Sequence, residues 1–208
     1  MDQKSLWDEL AKENSLYYIN SDKGRKITEQ EFRQSGERDY VEHIIDDEVI
    51  LNKFPNLTDL VILDLGCGIG RMTEFMARDF KLVLGTDISG EMIEQGQRRL
   101  ERLNNVQLLE TNGYIIPLPD NIVDFVFSYL VFQHMKEIEQ IEENFREVYR
   151  ILRPEGLFKV RVRTDKLQSM SPWWAGVDCD EKVALSVGFK LLKKEEVGNY
   201  GLWLWLEK

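Results

Sequence analysis

Three closely spaced glycines and one aspartate are the residues of this chain best suited to chemistry. The stretch VILDLGCGIG at residues 61–70 is an apolar run that breaks at Gly66, Gly68 and Gly70. Such a run is typical of a strand buried on both faces, and glycines permit a tight turn that a ligand can approach closely. A second apolar run ends in Asp87, whose carboxylate can accept hydrogen bonds from two ribose hydroxyls. The pattern therefore predicts a nucleoside-cofactor site.

The spacing of the glycines distinguishes between classes of cofactor. In the dinucleotide fingerprint G-x-G-x-x-G the third glycine would fall at position 71, which is Arg71 here. A nicotinamide-dependent oxidoreductase is therefore only a distant alternative. After the glycines, apolar residues recur at spacings of three and four, which predicts a helix over 71–79 with its free N–H groups towards the ligand. The alternative is a purely structural role, in which a doubly wound domain has a glycine turn and a solvated Asp87.

Residues 63–71, which read LDLGCGIGR, resemble the first motif of the class I S-adenosylmethionine-dependent methyltransferases. The resemblance implies S-adenosylmethionine as cofactor and S-adenosylhomocysteine as product. It extends to 105–113, 117–128 and 146–156, which look like the family's third strand with its loop, its fourth strand, and its entry to the fifth strand. Glu155 stands where many relatives have glycine.

The resemblance also implies which residues hold the cofactor. In the family an Asp or Asn side chain meets the adenine amino group and the next backbone N–H meets a ring nitrogen, which maps onto Asn112 and Gly113. Ser128 follows at the end of the fourth strand, beside the cofactor. The full set of expected cofactor residues is Asp64, Gly66, Cys67, Gly68, Gly70, Arg71, Asp87, Ile88, Met92, Asn112, Gly113, Tyr114 and Ser128.

Candidate catalytic residues follow the fourth strand. His134 could take a proton from a hydroxyl or ammonium acceptor, or it could be a structural histidine bonded to backbone. Tyr129 and Gln133 could position an acceptor. No proline follows Ser128, unlike in the enzymes that methylate planar amino groups, and Ser128 and Tyr129 lack the carboxylates that cation-dependent relatives use. We therefore expect no metal.

Residues 1–58 are expected to form a helical lid that precedes a Rossmann-like methyltransferase domain at 59–208. In related enzymes such an appendage covers the cofactor and shapes the substrate pocket. Tyr17, Tyr18, Phe32 and Ser35 are candidates for its inner surface, and the alternative for each of them is packing on the flank of the sheet.

One predicted central strand carries an unusual basic face. Lys159, Arg161 and Arg163 alternate with apolar residues, and an unpaired buried charge is costly. Arg163 could clamp a carboxylate or phosphate of the substrate, or the cations could pair with acidic neighbours between 137 and 147. Trp173 and Trp174 in the following loop could wall an aromatic or cationic acceptor, or pack in the core.

Composition sets limits on the function. With 208 residues, a hydrophobic content of 43% and a net charge of −10, the chain can bury a sizeable core but lacks the basic balance of a nucleic-acid binder. The two cysteines do not indicate a disulfide framework, and no targeting segment or membrane span is visible. We expect a cytoplasmic monomer or homodimer with a small-molecule substrate and no nucleic-acid or membrane partner.

The order of the elements gives the fold class. We expect an α/β, doubly wound, mostly parallel sheet of seven strands in the order 3-2-1-4-5-7-6 with strand 7 antiparallel. Strands are predicted at 105–110, 122–128, 157–163, 189–195 and 200–206, and helices at about 89–102, 137–152 and 180–187. Ser89 is the expected N-cap of the first of these helices. The last two strands are joined by a connection too short for a helical crossover, which predicts that they are antiparallel. The expected function is methyl transfer to an O or N atom of a small organic molecule. The alternatives are methylation of a protein side chain or terminus, and a noncatalytic cofactor-binding subunit that serves a partner.

Overall fold

The structure is a computed structural model that describes residues 2–21, 24–164, 176–198 and 201–208. Trp173 and Trp174, which the sequence proposed as walls of the acceptor pocket, lie outside these described residues.

Helices and strands alternate after an N-terminal helical segment, as the sequence predicts. The helices are α1 (Gln3–Ile19), α2 (Glu29–Tyr40), α3 (Glu48–Lys53), α4 (Thr73–Asp79), α5 (Gly90–Arg99), α6 (Ile138–Ile151) and α7 (Glu181–Val187). The strands are β1 (Val61–Leu65), β2 (Leu82–Asp87), β3 (Val106–Glu110), β4 (Val123–Ser128), β5 (Leu152–Arg163), β6 (Lys190–Val197) and β7 (Gly201–Glu207). A π-helical segment, Val41–Ile45, follows α2, and a short 3-10 turn, Phe132–His134, follows β4.

The strands form one seven-stranded sheet in the order β3-β2-β1-β4-β5-β7-β6, which confirms the predicted fold class. β1, β2 and β3 pair in parallel, and so do β4 and β5. β7 runs antiparallel to both β5 and β6, as the short connection between β6 and β7 predicts.

The chain divides into two compact units, Met1–Asn112 and Gly113–Lys208. The first unit holds α1 to α5 with β1 to β3, and the second holds α6 and α7 with β4 to β7. The N-terminal helices therefore belong to the same compact unit as the glycine turn. The division of the chain by role into 1–58 and 59–208 stays a prediction.

In the first unit, α1, α2, α3 and α5 start at side-chain caps. Thr28 begins α2 with a reciprocal capping box, in which Thr28 Oγ1 accepts from the Glu31 N–H and the Glu31 carboxylate accepts from the Thr28 N–H. Ser89 caps α5 by accepting from the Met92 N–H, as the sequence predicts. α1 is kinked at Asn14, whose side chain accepts from the Tyr17 N–H and donates to the Arg25 carbonyl.

The core of the second unit contains an aromatic cluster on α6, β5 and the chain after α7. Phe145 of α6 packs edge-to-face against Phe132 and Phe158, with ring centroids 5.4 and 5.3 Å away. Phe189, directly after α7, also contacts Phe145 and Phe158. These rings fix α6 and α7 on the same face of β5.

β5 is longer than predicted, because it begins at Leu152 instead of residue 157. Leu152 pairs with Val123 of β4. The residues that follow pair with the end of the chain, where the Glu155 N–H donates to the Lys208 carbonyl and the Lys208 N–H donates to the Gly156 carbonyl. Glu155 adopts a positive φ of 64°, the left-handed conformation that favours glycine. The glycine that many relatives carry at this position therefore has a local conformational reason.

Candidate cofactor site

The glycine turn leaves β1 in a conformation that needs glycine at all three predicted positions. Gly66, Gly68 and Gly70 have φ angles of 81°, 55° and 82°. The Gly66 and Cys67 N–H groups donate to the Thr86 carbonyl at 2.7 and 2.9 Å, which ties the turn to the end of β2. α4 begins at Thr73, two residues later than predicted, because the turn continues past Gly70.

Asp87 lies at the end of β2 with its carboxylate fixed by the glycine turn. Its Oδ2 accepts from the Gly68 N–H at 2.9 Å, and its Oδ1 accepts from the Ser89 N–H at 2.9 Å. Burial raises the pKa of Asp87 from its ordinary value, although these backbone donors oppose the effect. The side chain is still partly exposed, and each carboxylate oxygen has a second lone pair for a ligand hydroxyl.

Asp64, near the end of β1, and Cys67, within the turn, are both buried. Asp64 is 6% exposed and its Oδ2 accepts from the Thr73 hydroxyl at 2.6 Å. Burial raises the pKa of Asp64 to about 6 and also raises the pKa of the Cys67 thiol. Both side chains are therefore inaccessible to a ligand, whereas Asp87 offers an accessible carboxylate.

Arg71 reaches back to α2 instead of out to solvent. Its Nη1 donates to Asp39 Oδ2 at 2.6 Å and to Ser35 Oγ at 3.3 Å, and the residue is only 6% exposed. α2 approaches so closely that a Cβ on Gly36 would overlap the Arg71 carbonyl. The segment EFRQSGE at 31–37 thus supplies the surface on which the glycine turn rests.

α1 makes polar contacts with the loop after β2 and with the end of β3, which sequence reasoning missed. Asp8 Oδ1 accepts from Ser89 Oγ at 2.6 Å and from the Glu91 N–H at 3.2 Å. Lys4 Nζ donates to Glu110 Oε1 at 2.6 Å and to the Ile88 carbonyl at 3.4 Å. The partners lie more than 80 residues apart, so no local pattern in the sequence identifies them.

The end of α1 lies against the glycine turn itself. A Cβ on Gly68 would come within 2.8 Å of Ile19 Cδ1, so only glycine fits between the turn and this side chain. Ile19 also packs against a buried cluster that contains Ala11, Phe32 and Met92.

The structure favours the packing alternative for several predicted ligand contacts. Phe32 is fully buried and Met92 is 1% exposed, both within that cluster, so neither presents an accessible surface. Ser35 is buried and donates to the Phe32 carbonyl. Tyr17 and Tyr18 pack edge-to-face, and both rings lie beneath the guanidinium of Arg25.

Asn112 and Gly113, the predicted adenine contacts, lie on either side of the division between the compact units. In the first unit, Asn112 is exposed beyond the end of β3. In the second unit, Gly113 has a φ of 82°, and its carbonyl accepts from Asn144 Nδ2 at 2.8 Å and Gln140 Nε2 at 3.3 Å. Tyr114 follows and is 42% exposed.

The predicted catalytic residues of the second unit follow β4. Ser128 is fully buried at the end of the strand. Tyr129 stacks on Trp203 of β7 with ring centroids 5.5 Å apart and an interplanar angle of 11°. In the 3-10 turn, Gln133 Nε2 lies 3.3 Å from His134 Nε2, and the Gln133 carbonyl accepts from the Gly176 N–H.

The basic face of β5 packs against aromatic rings. Lys159 Nζ lies 4.6 Å from the ring centroid of Trp203 and 4.8 Å from that of Trp205, and the guanidinium carbon of Arg161 lies 5.6 Å from the centroid of Tyr129. Arg163 is 5% exposed at the carboxyl end of the strand. The proposed acidic partners on α6 have other contacts: Glu142 and Glu143 pair with Arg146, and Glu147 pairs with Arg150.

The described residues contain no group of three or more His, Cys, Asp or Glu side chains that could hold a metal ion. None of the helices described is both long enough and apolar enough to cross a membrane.

Comparison with known proteins identifies the fold around this turn. Residues 63–160, which include the glycine turn, Asp87 and Asn112, match the family model of a methyltransferase domain. Residues 63–160 therefore form a class I methyltransferase domain. Its relatives and structural neighbours are consistent with that identification.

Two curated relatives of the methyltransferase domain act on small molecules by name. Phosphoethanolamine N-methyltransferase 1 of Caenorhabditis elegans is 30% identical over 112 residues, which is 54% of this chain and 23% of that protein. Demethylmenaquinone methyltransferase of Listeria welshimeri is 30% identical over 121 residues, which is 56% of this chain and 49% of that protein. The matches thus span half or less of these relatives.

One solved structure has the same fold over nearly the whole chain. Magnesium protoporphyrin IX methyltransferase from Synechocystis, with bound S-adenosylhomocysteine, superposes with a TM-score of 0.72. It is 17% identical, and the match covers 99% of this chain and 97% of that one. At this identity the similarity establishes the fold of the methyltransferase domain, not its substrate.

Proposed function

We propose that this protein transfers the methyl group of S-adenosylmethionine to an O or N atom of a small organic molecule. The observation that carries the proposal is the position of Asp87 against the glycine turn. Its Oδ2 accepts from the Gly68 N–H, so the carboxylate lies beside the turn with lone pairs to spare. The proposal also rests on the methyltransferase family match and on the small-molecule substrates in the relatives' names.

The residues at this end of the sheet fit S-adenosylmethionine. Asp87 supplies acceptors for two ribose hydroxyls, Asn112 supplies an exposed amide for the adenine, and the Gly66–Gly70 turn brings bare backbone to the same place. No cation beside Asp87 is needed, because a ribose is neutral. When bound, S-adenosylmethionine supplies an activated methyl group, so the protein has to align and desolvate the reactants more than activate them.

α1 and α2 support a role of the N-terminal helices as a cover for the cofactor. Asp8 and Lys4 attach α1 to the ends of β2 and β3, where ligands of such sheets bind. Ile19 closes on Gly68, and Asp39 anchors α2 to Arg71 of the turn. With these contacts, the helices before residue 58 exclude water from the glycine turn.

His134 is the candidate general base for an acceptor that must lose a proton. It lies in the turn after β4, on the side of the strand where ligands bind, and it is partly exposed. Tyr129 and Gln133 are its neighbours in sequence and are candidates for positioning the acceptor. Replacement of His134 by alanine is expected to lower turnover at saturating cofactor and leave S-adenosylhomocysteine affinity unchanged.

The first experiment is calorimetric titration of the protein with S-adenosylmethionine, S-adenosylhomocysteine and NAD. We expect both sulfur nucleosides to bind and NAD to give no signal. The Asp87→Ala variant should bind S-adenosylhomocysteine more weakly by about 1–3 kcal/mol, since charge-assisted hydrogen bonds are lost. Asp46→Ala, at an exposed aspartate away from the turn, is the matched control.

The outcomes separate the alternatives. Binding of both sulfur nucleosides, followed by a one-methyl mass gain on a small acceptor, supports the proposal. Binding without turnover on small acceptors, but with methylation of a peptide, would indicate a protein methyltransferase. Binding without any turnover would indicate a noncatalytic subunit, and binding of NAD alone would overturn the cofactor assignment.

A further inference from the structure

The second unit contains a guanidinium that the predicted cofactor site does not use. Arg161 lies on β5, two residues before the carboxyl end of the strand, and its side chain is partly exposed. Among the residues that the structure describes, no carboxylate lies within salt-bridge distance of this guanidinium and no acceptor takes a hydrogen bond from it. Its recorded contact is the ring of Tyr129, with the guanidinium carbon 5.6 Å from the centroid.

The surroundings of Arg161 hold its side chain in place. Tyr129 is itself stacked on Trp203, which stands directly opposite Arg161 in the β5–β7 register. On β7, a Cβ on Gly201 would come within 2.9 Å of Arg161 Nε and Nη2, so the absence of a side chain there makes room for the guanidinium. The planar guanidinium of Arg161 thereby lies between the ring of Tyr129 and the backbone of Gly201.

This arrangement lies where an acceptor would enter. β4 and β5 are parallel, and Tyr129 comes directly after the carboxyl end of β4. Ligands of open α/β sheets bind beyond the carboxyl ends of the strands. Arg163, the next residue on the same face of β5, adds a second cation nearer that end.

The chemistry of this group favours an anion with a planar body. A guanidinium offers five N–H donors in a rigid fork that matches the two oxygens of a carboxylate or phosphate. The Tyr129–Trp203 stack offers an apolar aromatic surface beside the fork. The chain as a whole has a net charge of −10, so a local group of cations on a central strand is not a general property of its surface.

We propose that Arg161, on the Tyr129–Trp203 stack, binds an anionic oxygen group of the methyl acceptor, so that the acceptor is a planar organic carboxylate or phosphate. This inference deepens the proposed methyltransferase function and rests on it. Arg161 is the specificity-determining residue, with Arg163 as the second cation, whereas the sequence pattern named Arg163 as the candidate for this role.

The test compares aromatic anions with neutral analogues that lack the anionic group. Calorimetry measures the affinity of the protein for 4-hydroxybenzoate and for its neutral analogue 4-hydroxybenzamide, and likewise for phenyl phosphate and phenol. Each affinity is measured with the protein free and with the protein saturated with S-adenosylhomocysteine. We expect at least one anion to bind tighter than its neutral partner by about tenfold or more, as for hydrogen bonds to charged groups. The anion that binds more tightly shows whether the site prefers a carboxylate or a phosphate.

The variants assign the preference to Arg161. Arg161→Gln should abolish it, and Arg161→Lys should retain only part, because an ammonium lacks the planar fork. Arg146→Gln, which removes an exposed arginine of α6, is the control and should leave the preference unchanged. Gly201→Ala should weaken it without removing any charge, by displacing the guanidinium.

Failure of the two proposals would look different. If neither anion is preferred, or the preference survives in Arg161→Gln, the anion site is wrong, whatever the cofactor result. If the preference depends on Arg161 but S-adenosylhomocysteine does not bind, the proposed methyl transfer is wrong. Arg161→Gln should keep the wild-type affinity for S-adenosylhomocysteine and the wild-type circular dichroism spectrum, which separates loss of the site from loss of the fold.

Discussion

Arg71 of the glycine turn and Asp39 of α2 form an ion pair with an N–O distance of 2.6 Å, and both side chains are less than one-tenth exposed. The pair joins an N-terminal helix to the turn that is predicted to hold the cofactor. Since α2 also packs its Gly36 onto the Arg71 carbonyl, the turn contacts α2 through both its backbone and its side chain.

Removing one member of this ion pair should lower the stability of the protein. We expect Asp39→Ala to lower the free energy of unfolding by about 3–5 kcal/mol, because a buried guanidinium is left without its carboxylate. Glu37→Ala is the matched control, since Glu37 of α2 pairs with Arg78 of α4 on the exposed surface. That control should cost at most about 1 kcal/mol. Urea unfolding followed by circular dichroism measures both, and equal losses would contradict the buried role of Arg71.

The titration of Asp64 should make stability depend on pH. Burial raises the pKa of Asp64 from 3.8 to about 6, so the folded state binds this proton more tightly than the unfolded state. The resulting stabilisation is present at low pH and is lost as pH rises through 6. Between pH 5 and pH 7 the loss should be about 1 kcal/mol. It should be absent in Asp64→Asn, so the difference in unfolding free energy between wild type and variant should change over this range; a constant difference would rule out the shift.

Glycine at position 155 should stabilise the protein. Glu155 is exposed and has a φ of 64°, so replacing it by glycine relieves backbone strain and removes no buried contact. We expect the Glu155→Gly variant to gain about 1 kcal/mol in unfolding free energy. The reverse change, Gly198→Ala at a φ of 62° with open space around it, should lose a similar amount. The pair of melting curves tests the sign, and a destabilised Glu155→Gly would contradict the strain argument.

The contact between Asp8 and Ser89 should slow release of the cofactor. If α1 covers the bound nucleoside, Asp8→Ala should increase the dissociation rate of S-adenosylhomocysteine by roughly fivefold, or about 1 kcal/mol, because the hydrogen bonds from Ser89 and Glu91 are lost. Glu9→Ala changes the neighbouring exposed residue and should have no effect. Stopped-flow fluorescence measures both rates, and identical rates in the two variants would show that α1 does not cover the nucleoside.

The elements that the sequence predicted well are those with a local physical cause. The glycine pattern, the Ser89 cap and the short β6–β7 connection each constrain the backbone within a few residues, and each is confirmed. Hydrophobic periodicity predicted α6 to within one residue at each end. The extension of β5 to Leu152 was missed because it depends on pairing with Val123 of β4 and with Lys208, both of which are distant in the sequence.

The same distinction explains which site residues could not be predicted. Asp8 and Lys4 contact Ser89 and Glu110 through tertiary packing alone, so nothing near them in the sequence indicates a role. Arg71 follows the glycines and was assigned to the cofactor on that ground, but its side chain turns to Asp39. The ring contacts of Lys159 and Arg161 come from Trp203, Trp205 and Tyr129, which are distant in the sequence, so the alternation of residues on β5 could not predict them.

Each of the two compact units has one buried cysteine, Cys67 in the first and Cys179 in the second. Burial raises the pKa of both thiols, so at neutral pH the reactive thiolate is scarce while the chain stays folded. The rate at which a disulfide reagent modifies each thiol therefore reports how often that part of the chain opens. Because Cys67 lies in the glycine turn, slower modification of its thiol on addition of a nucleoside would reveal binding without any label or assay of turnover.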